Sequence, residues 1–450
     1  MKSKNIILMH YKTGERDGVS LEIEKRAKIL RTLGANVSYI TGLDGLKREN
    51  VCLIEELNAE ASYNRFLREQ CFRQSQFDEN AMVAFYYQLE LAVYKKLQQA
   101  FTELQPHVVF IHNMFSHGCN LPATTALIKV LDKYEISTVA VHHDFWYERE
   151  SLQKPQYPFI QEILDVLPPK RDYIIKHHVI NSLAREEIQR RRNIQAETIG
   201  DYFDFHQPIP QRDSYNKDMR AEFAIQSEDL LILHATRITG HKVIENALLF
   251  AHELEKRLHT LAPIKIAGKL VGKDSRVVLL FPNFVEPEAT TYFQALKSYQ
   301  EELRVRAVWA SGRFSSERQQ IDGVKKYSFW DSYVVADLVT YTSIQEGFGN
   351  QFLEAIYFKK VPVILEYPVF EADLQQEGYE YISLGRSQHL TAKNGLRFAK
   401  NTCILQAVNQ TIHILQEEQT MKKIVEKNFQ IAKTYHDVSL LKNDLIALVK

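Results

Sequence analysis

Short apolar runs alternate with amphipathic stretches along most of the chain. Residues 5–10 form a run of β type, and residues 20–33 have helical periodicity, with Leu21, Ile29, Leu30 and Leu33 apolar among charges. Gly34 supplies a C-terminal cap, and residues 36–40 read as the next strand. Further strands are expected at 107–111, 137–142 and 173–180, with helices near 121–133 and 184–192. This alternation predicts an α/β fold with a parallel sheet covered by helices on both faces. Residues 43–104 break the rhythm. They are polar and mostly helical, most clearly at 81–104, and read as a helical insertion. At 207–213, Gln-Pro-Ile-Pro-Gln-Arg-Asp reads as a linker, after which the alternation restarts. Strands are expected at 230–235, 264–267, 305–309, 338–342 and 361–365, and helices at 243–257, 289–303 and 351–358. The expected layout is a first domain over 1–210, a second over 219–430, and a helix over 431–450 that packs back on the first.

A length of 450 residues agrees with two cores. Lys+Arg and Asp+Glu both total 56, so the chain lacks the basic excess of a general nucleic-acid binder. Cys52, Cys71, Cys119 and Cys403 have neither the spacing of a disulfide frame nor that of a zinc site, as expected for a reducing compartment. The apolar stretch after Lys4 is too short for a signal sequence, and no run approaches the roughly 18 apolar residues of a membrane span. These features lead to the expectation of a cytoplasmic protein.

Ligands of open parallel sheets bind at the carboxyl ends of strands. One such end carries the run Gln345-Glu346-Gly347-Phe348-Gly349-Asn350-Gln351-Phe352-Leu353-Glu354, a glycine turn between a strand and a helix with an acid on each side. A helix start offers backbone N–H groups and a partial positive charge to a phosphate, and carboxylates accept from sugar hydroxyls. Arg237 and Lys242 lie on another strand-to-helix loop, where a planar fork and a point charge suit a diphosphate; two solvated cations would give the same spacing. After the first strand, Gly14 and Gly18 flank a loop that is either an ordinary βα connection or a close approach to a ligand. His142-His143-Asp144 ends a strand, as a structural histidine or as a sugar-binding or acid–base group. The segment Gly268-Lys269-Leu270-Val271-Gly272-Lys273-Asp274 fails as a phosphate-binding P-loop, having one residue too few between its glycines and Asp at the magnesium position. The His142-His143 and His177-His178 pairs lack metal-site spacing. Arg185 with Arg190, Arg191 and Arg192 reads as a solvated helix face, or as a peripheral contact with a membrane surface.

The run from Gln345 to Glu354 resembles the E-x7-E element of retaining GT-B glycosyltransferases of the family-4 type (glycosyl transferases group 1). The Arg237-x4-Lys242 element and the Pro362-Val363-Ile364 strand continue that resemblance, which covers nearly the whole chain. Lys359-Lys360 departs from it, standing where the family usually has a glycine. The resemblance implies two facing Rossmann-like domains with parallel sheets and a cleft between them. It implies that Arg237 and Lys242 clamp the nucleotide diphosphate and Glu346 binds hydroxyls of the transferred sugar. Glu354 would hold the ribose, and backbone N–H groups of Phe348, Gly349 and Asn350 would meet sugar and phosphate. Gly18 matches the glycine near the donor phosphate and Gly268 the glycine beside the nucleoside; His142 or His143 matches the histidine near the donor sugar, with His142 favoured and Asp144 orienting it.

The implied activity is transfer of a hexose, glucose or mannose by family habit, from a UDP- or GDP-hexose to a hydroxyl of a small-molecule or glycan acceptor, with retention. Arg237, Lys242 and two helix starts would stabilise the departing diphosphate. No Asp-x-Asp metal motif is evident, so neither a metal nor another cofactor is expected. The other readings are a sugar phosphorylase or nucleotide-sugar epimerase on the same fold, and a non-catalytic scaffold.

Overall fold

The apolar runs 108–112, 230–233, 277–281, 338–341 and 362–366 are buried along their whole length, which suits strands covered on both faces. The computed structural model describes residues 4–15 and 17–449. It divides into two compact units: Met1–Tyr202 with Val438–Lys450, and Phe203–Asp437.

In the first unit the elements run β1 (Asn5–His10), α1 (Gly18–Thr32), β2 (Asn36–Thr41), β3 (Val51–Leu53), α2 (Ser62–Phe72), α3 (Glu79–Leu104), β4 (Val108–His112), α4 (Leu121–Tyr134), β5 (Ser137–His142), α5 (Pro158–Asp165), β6 (Ile175–Val179), α6 (Ser182–Arg192) and β7 (Ala196–Thr198). The strands form a parallel sheet in the order β3-β2-β1-β4-β5-β6-β7. Alternate residues face opposite cores, as the two-residue period of a strand requires. Ile7, Met9, Val109 and Ile111 meet Val93, Leu97 and Phe101 of α3 and Ala123, Leu127 and Leu131 of α4. Ile6, Leu8, Val108 and Phe110 meet Ile23, Ala27 and Leu30 of α1 and Leu441 and Leu445 of the C-terminal helix, Val438–Val449. Each fully buried leucine or isoleucine contributes about 1.5–3 kcal/mol. Residues 43–104, expected as a helical insertion, are built into this core: β3 extends the sheet edge and α3 covers one face.

The second unit continues with α7 (Met219–Glu222), β8 (Leu230–Leu233), α8 (Glu245–Leu261), the hairpin β9 (Ile264–Ile266) and β10 (Lys269–Val271), β11 (Val277–Phe281), α9 (Thr290–Leu303) and β12 (Arg306–Trp309). A small sheet of β13 (Phe314–Ser315), β14 (Gln319–Ile321) and β15 (Val324–Ser328) precedes α10 (Phe329–Val335), β16 (Leu338–Tyr341), α11 (Asn350–Tyr357), β17 (Pro362–Glu366), β18 (Ile382–Arg386), α12 (Asn401–Gln416) and α13 (Glu418–Tyr435). The main sheet is parallel, in the order β12-β11-β8-β16-β17-β18. The strand order reverses between β8 and β16, and the loops after these strands flank that switch point. The strand expected at 264–267 is one arm of the β9–β10 hairpin, outside this sheet; β11 takes its place beside β8.

Candidate active site

The second unit gathers its charged candidates at the carboxyl ends of β8 and β16, where open parallel sheets bind ligands. Lys242 follows β8 and Glu346 follows β16, and their side chains form a direct ion pair with only 6% and 15% of side-chain surface exposed. Two further bonds tie the loops together. Thr342 Oγ1 donates to the Lys242 carbonyl at 2.8 Å, and the Ile344 N–H donates to the His241 carbonyl at 2.9 Å. Burial works to raise the Glu346 carboxyl, but the Lys242 charge and hydrogen bond, with help from the nearby Ser343 and Tyr341 hydroxyls, hold it below its ordinary value. Those two hydroxyls are buried without a well-directed hydrogen-bond partner, which leaves both facing a charged carboxylate. Below them, His234 lies between the Thr340 and Thr236 hydroxyls, and burial lowers it to about 3.

Arg237 lies on the same loop as Lys242, half exposed, and pairs with Glu286. Both cations act on His241, which burial first and then the Lys242 charge lower to about 4. The two candidate cations therefore share one electrostatic neighbourhood. Helix α11 starts at Asn350 with Gly349 as its N-cap, and its first turn holds no acidic residue. Gly349 has φ 156°, and a Cβ there would meet the Tyr367 hydroxyl at 2.5 Å. That hydroxyl already donates to the Phe348 carbonyl at 2.6 Å, so glycine is what the turn admits. The Phe348 ring packs inward against His436, leaving its backbone as the part that can serve a ligand. Glu354 lies on the next turn of α11 and accepts a 2.7 Å hydrogen bond from Tyr333.

Two expectations need correction. Gly268 does not reach this end of the sheet. It sits in the β9–β10 turn, and the adjacent Lys269 binds the Asp229 carbonyl at 2.9 Å and the Asp337 carboxylate at 2.5 Å, just before β8 and β16. Those are the amino ends of the strands, opposite Lys242 and Glu346. His142, in the first unit, is 1% exposed and turned inward. Its Nε2 meets His177 Nδ1 at 2.9 Å with the rings stacked, and burial holds it neutral, well below its ordinary value. Asp144 does not orient it; that carboxylate binds Asn113 and Arg149. The half-buried neighbour His143 is the ring nearer the surface, anchored through its backbone N–H to Asn113 Oδ1 at 2.7 Å.

Gly18 is the first residue of α1, in open space. The start of that helix is occupied by the chain itself, because Asp17 caps it and accepts from the Ser20 N–H at 3.0 Å. Sequence reasoning missed Glu286, Tyr341 and Ser343. Only the last two carry a local signal, as polar ends of a buried strand.

No family model matches the chain. It is 31% identical over 441 residues to mannosylglucosylglycerate synthase of Petrotoga mobilis, covering 96% of this chain and 98% of that protein. It is 33% identical over 447 residues to mannosylglucosylglycerate synthase of Thermotoga maritima, covering 98% of each. Among solved structures it is similar to a glycosyltransferase of Rickettsia africae, with a TM-score of 0.63 and 13% identity over 100% of this chain and 98% of the other. Among the described residues no helix is long and apolar enough to cross a membrane. The paired parallel sheets and these likenesses place the chain among the GT-B glycosyltransferases, and it belongs to the family of the two mannosylglucosylglycerate synthases.

Proposed function

We propose that the protein moves a mannosyl group from a nucleotide-sugar donor to a hydroxyl of glucosylglycerate, with retention, as a metal-independent enzyme of the family-4 type. The observation that carries this reading is the buried Lys242–Glu346 pair at the switch point, with Arg237 on the same loop. Breaking a glycosyl–phosphate bond leaves negative charge on the diphosphate, and cations already in place lower that barrier without reorganising. Lys242 supplies a point charge and Arg237 a bidentate fork. The start of α11 adds backbone N–H groups and the positive end of its dipole. Glu346, held ionised, accepts from sugar hydroxyls and fixes the ring over the leaving group. The Tyr341 and Ser343 hydroxyls supply further contacts on the same side. Glu354 is positioned by Tyr333 to accept from ribose hydroxyls. Of the two histidines that match the family position, His143 takes the place favoured for His142, since its ring lies nearer the surface. The sugar in this reading comes from the names of the two relatives, and the base, uracil or guanine, is set by the assay.

The test is incubation with GDP- and UDP-linked mannose and glucose and with glucosylglycerate, with and without EDTA. An α-configured mannosylated product from an α-linked donor, formed equally in EDTA, is expected. An inverted anomeric centre, or activity abolished by EDTA and restored by a divalent metal, would overturn the corresponding part.

A further inference from the structure

In the first unit the loops after β4 and β5 are locked together. The Trp146 N–H donates to the Ser116 carbonyl at 2.7 Å, and Asn113 Oδ1 accepts from the backbone N–H groups of His143 and Asp144 at 2.7 and 3.2 Å. Gly118 has φ +74°, and a Cβ there would meet Trp146 Cβ at 2.9 Å, so this close approach requires glycine. Within the pair of loops, Ser116 Oγ, His117 Nδ1, Trp146 Nε1 and Arg149 Nε are enclosed polar atoms without a hydrogen-bond partner. Ser116 is 0% exposed. Enclosed polar atoms left unsatisfied are costly, and several in one place point to a ligand.

The chemistry of these atoms selects the ligand. An indole N–H and a guanidinium Nε–H can only donate. Hydroxyl and neutral imidazole groups can donate as well, and His117 is kept neutral by burial and by the charges of Arg149 and Arg68. A group that only accepts is therefore favoured, and a carboxylate accepts at both oxygens. Arg149 is already oriented for this role. Its Nη2 rests 3.3 Å from Asp144, which Asn113 Nδ2 holds in turn at 3.3 Å, while its Nε is left without a partner.

We propose that these two loops form the subsite for the carboxylate of the acceptor, with Arg149 as its charged contact and Trp146, Ser116 and His117 as the surrounding donors. The proposal rests on the reading of glucosylglycerate as acceptor, and it adds the residues that tell that acid from a neutral glucoside.

Titration calorimetry with glucosylglycerate and with neutral glucosylglycerol tests it on the full chain. The wild type is expected to bind the acid at least about 10-fold more tightly. Arg149→Gln should weaken binding of the acid about 10- to 100-fold and leave the neutral sugar unchanged. Trp146→Phe, which keeps a ring beside Gly118, should weaken the acid about 3- to 10-fold and serves if the arginine variant fails to fold. A wild type without preference for the acid, or variants that keep the preference, overturn the subsite. Preference intact but no mannosyl transfer from any donor overturns the acceptor-based function alone.

Discussion

The two units share one architecture and finish it with opposite chemistry. Strands of the first unit end in or beside neutral histidines: His10 at the end of β1, His112 at the end of β4, His142 and His143 at β5, and His177 and His178 within β6. Burial holds each of them below its ordinary value, His177 at about 4 and His178 at about 3. Strands of the second unit end in a charged pair, Lys242 with Glu346, and in Arg237 with Glu286. Helix starts differ the same way. Asp17 covers the start of α1 with a carboxylate, while the first turn of α11 holds no acid. The same parallel-sheet architecture thus ends in neutral side chains in one unit and in charged ones in the other, and the strand-end residues, not the fold, set that difference.

The largest effect should come from breaking the charged pair. Lys242→Met leaves Glu346 buried without its partner and should cost about 3–5 kcal/mol of unfolding free energy; adding Glu346→Leu should recover most of it. Chemical denaturation reads both, and an unchanged single variant would show the pair to be solvated. Glu346→Gln keeps a hydrogen-bonding side chain but removes the charge, and should lower kcat roughly 10²–10³-fold at saturating donor. Turnover near that of the wild type would move the chemistry away from this carboxylate.

Acid should separate the units in the other direction. A histidine whose folded value lies below its ordinary 6.5 stabilises the fold fully above pH 6.5, and this stability is lost as pH falls, because the unfolded chain then takes up the proton. For His177 the window runs from 6.5 to about 4 and is on the order of 3 kcal/mol. Hydrogen exchange at pH 7 and pH 5 should show the first unit losing protection before the second, where His234 and His241 are the lowered histidines. Equal loss in both units would contradict the comparison. The smallest effect is expected at α1, where Asp17→Ala removes a cap and should cost about 0.5–2 kcal/mol, seen as a lower melting temperature with donor affinity unchanged.

Much of this layout was legible in the sequence, and the failures have physical reasons. β5 was expected at its observed bounds, 137–142, because an uninterrupted apolar run has one comfortable place in a parallel sheet. Lys242 and Glu346 stood out as charges just beyond such runs. β3 and β7 span three residues each, too few for a period to register. The misplacement of Gly268 came from reading Lys-Ile-Ala-Gly-Lys-Leu as a sheet strand and its loop; two short runs joined through Ala-Gly are equally a hairpin, and the left-handed φ values of Ala267 and Gly268 realise that turn. Inward rotation of His142 depends on β6 lying beside β5, a long-range pairing. Glu286, the partner of Arg237, precedes α9 and has no periodicity or motif to mark it.

Because Glu286 already grips the guanidinium of Arg237, donor arrival at the proposed site would be an exchange of anions. The affinity measured is a difference between two attractions to the same cation. A singly charged competitor gains little from such a swap, whereas a pyrophosphate that reaches Lys242 and the α11 amides at the same time gains several contacts for the one displaced. If the proposed site holds, selectivity for the full nucleotide diphosphate over inorganic phosphate follows from the pairing of Arg237 with Glu286.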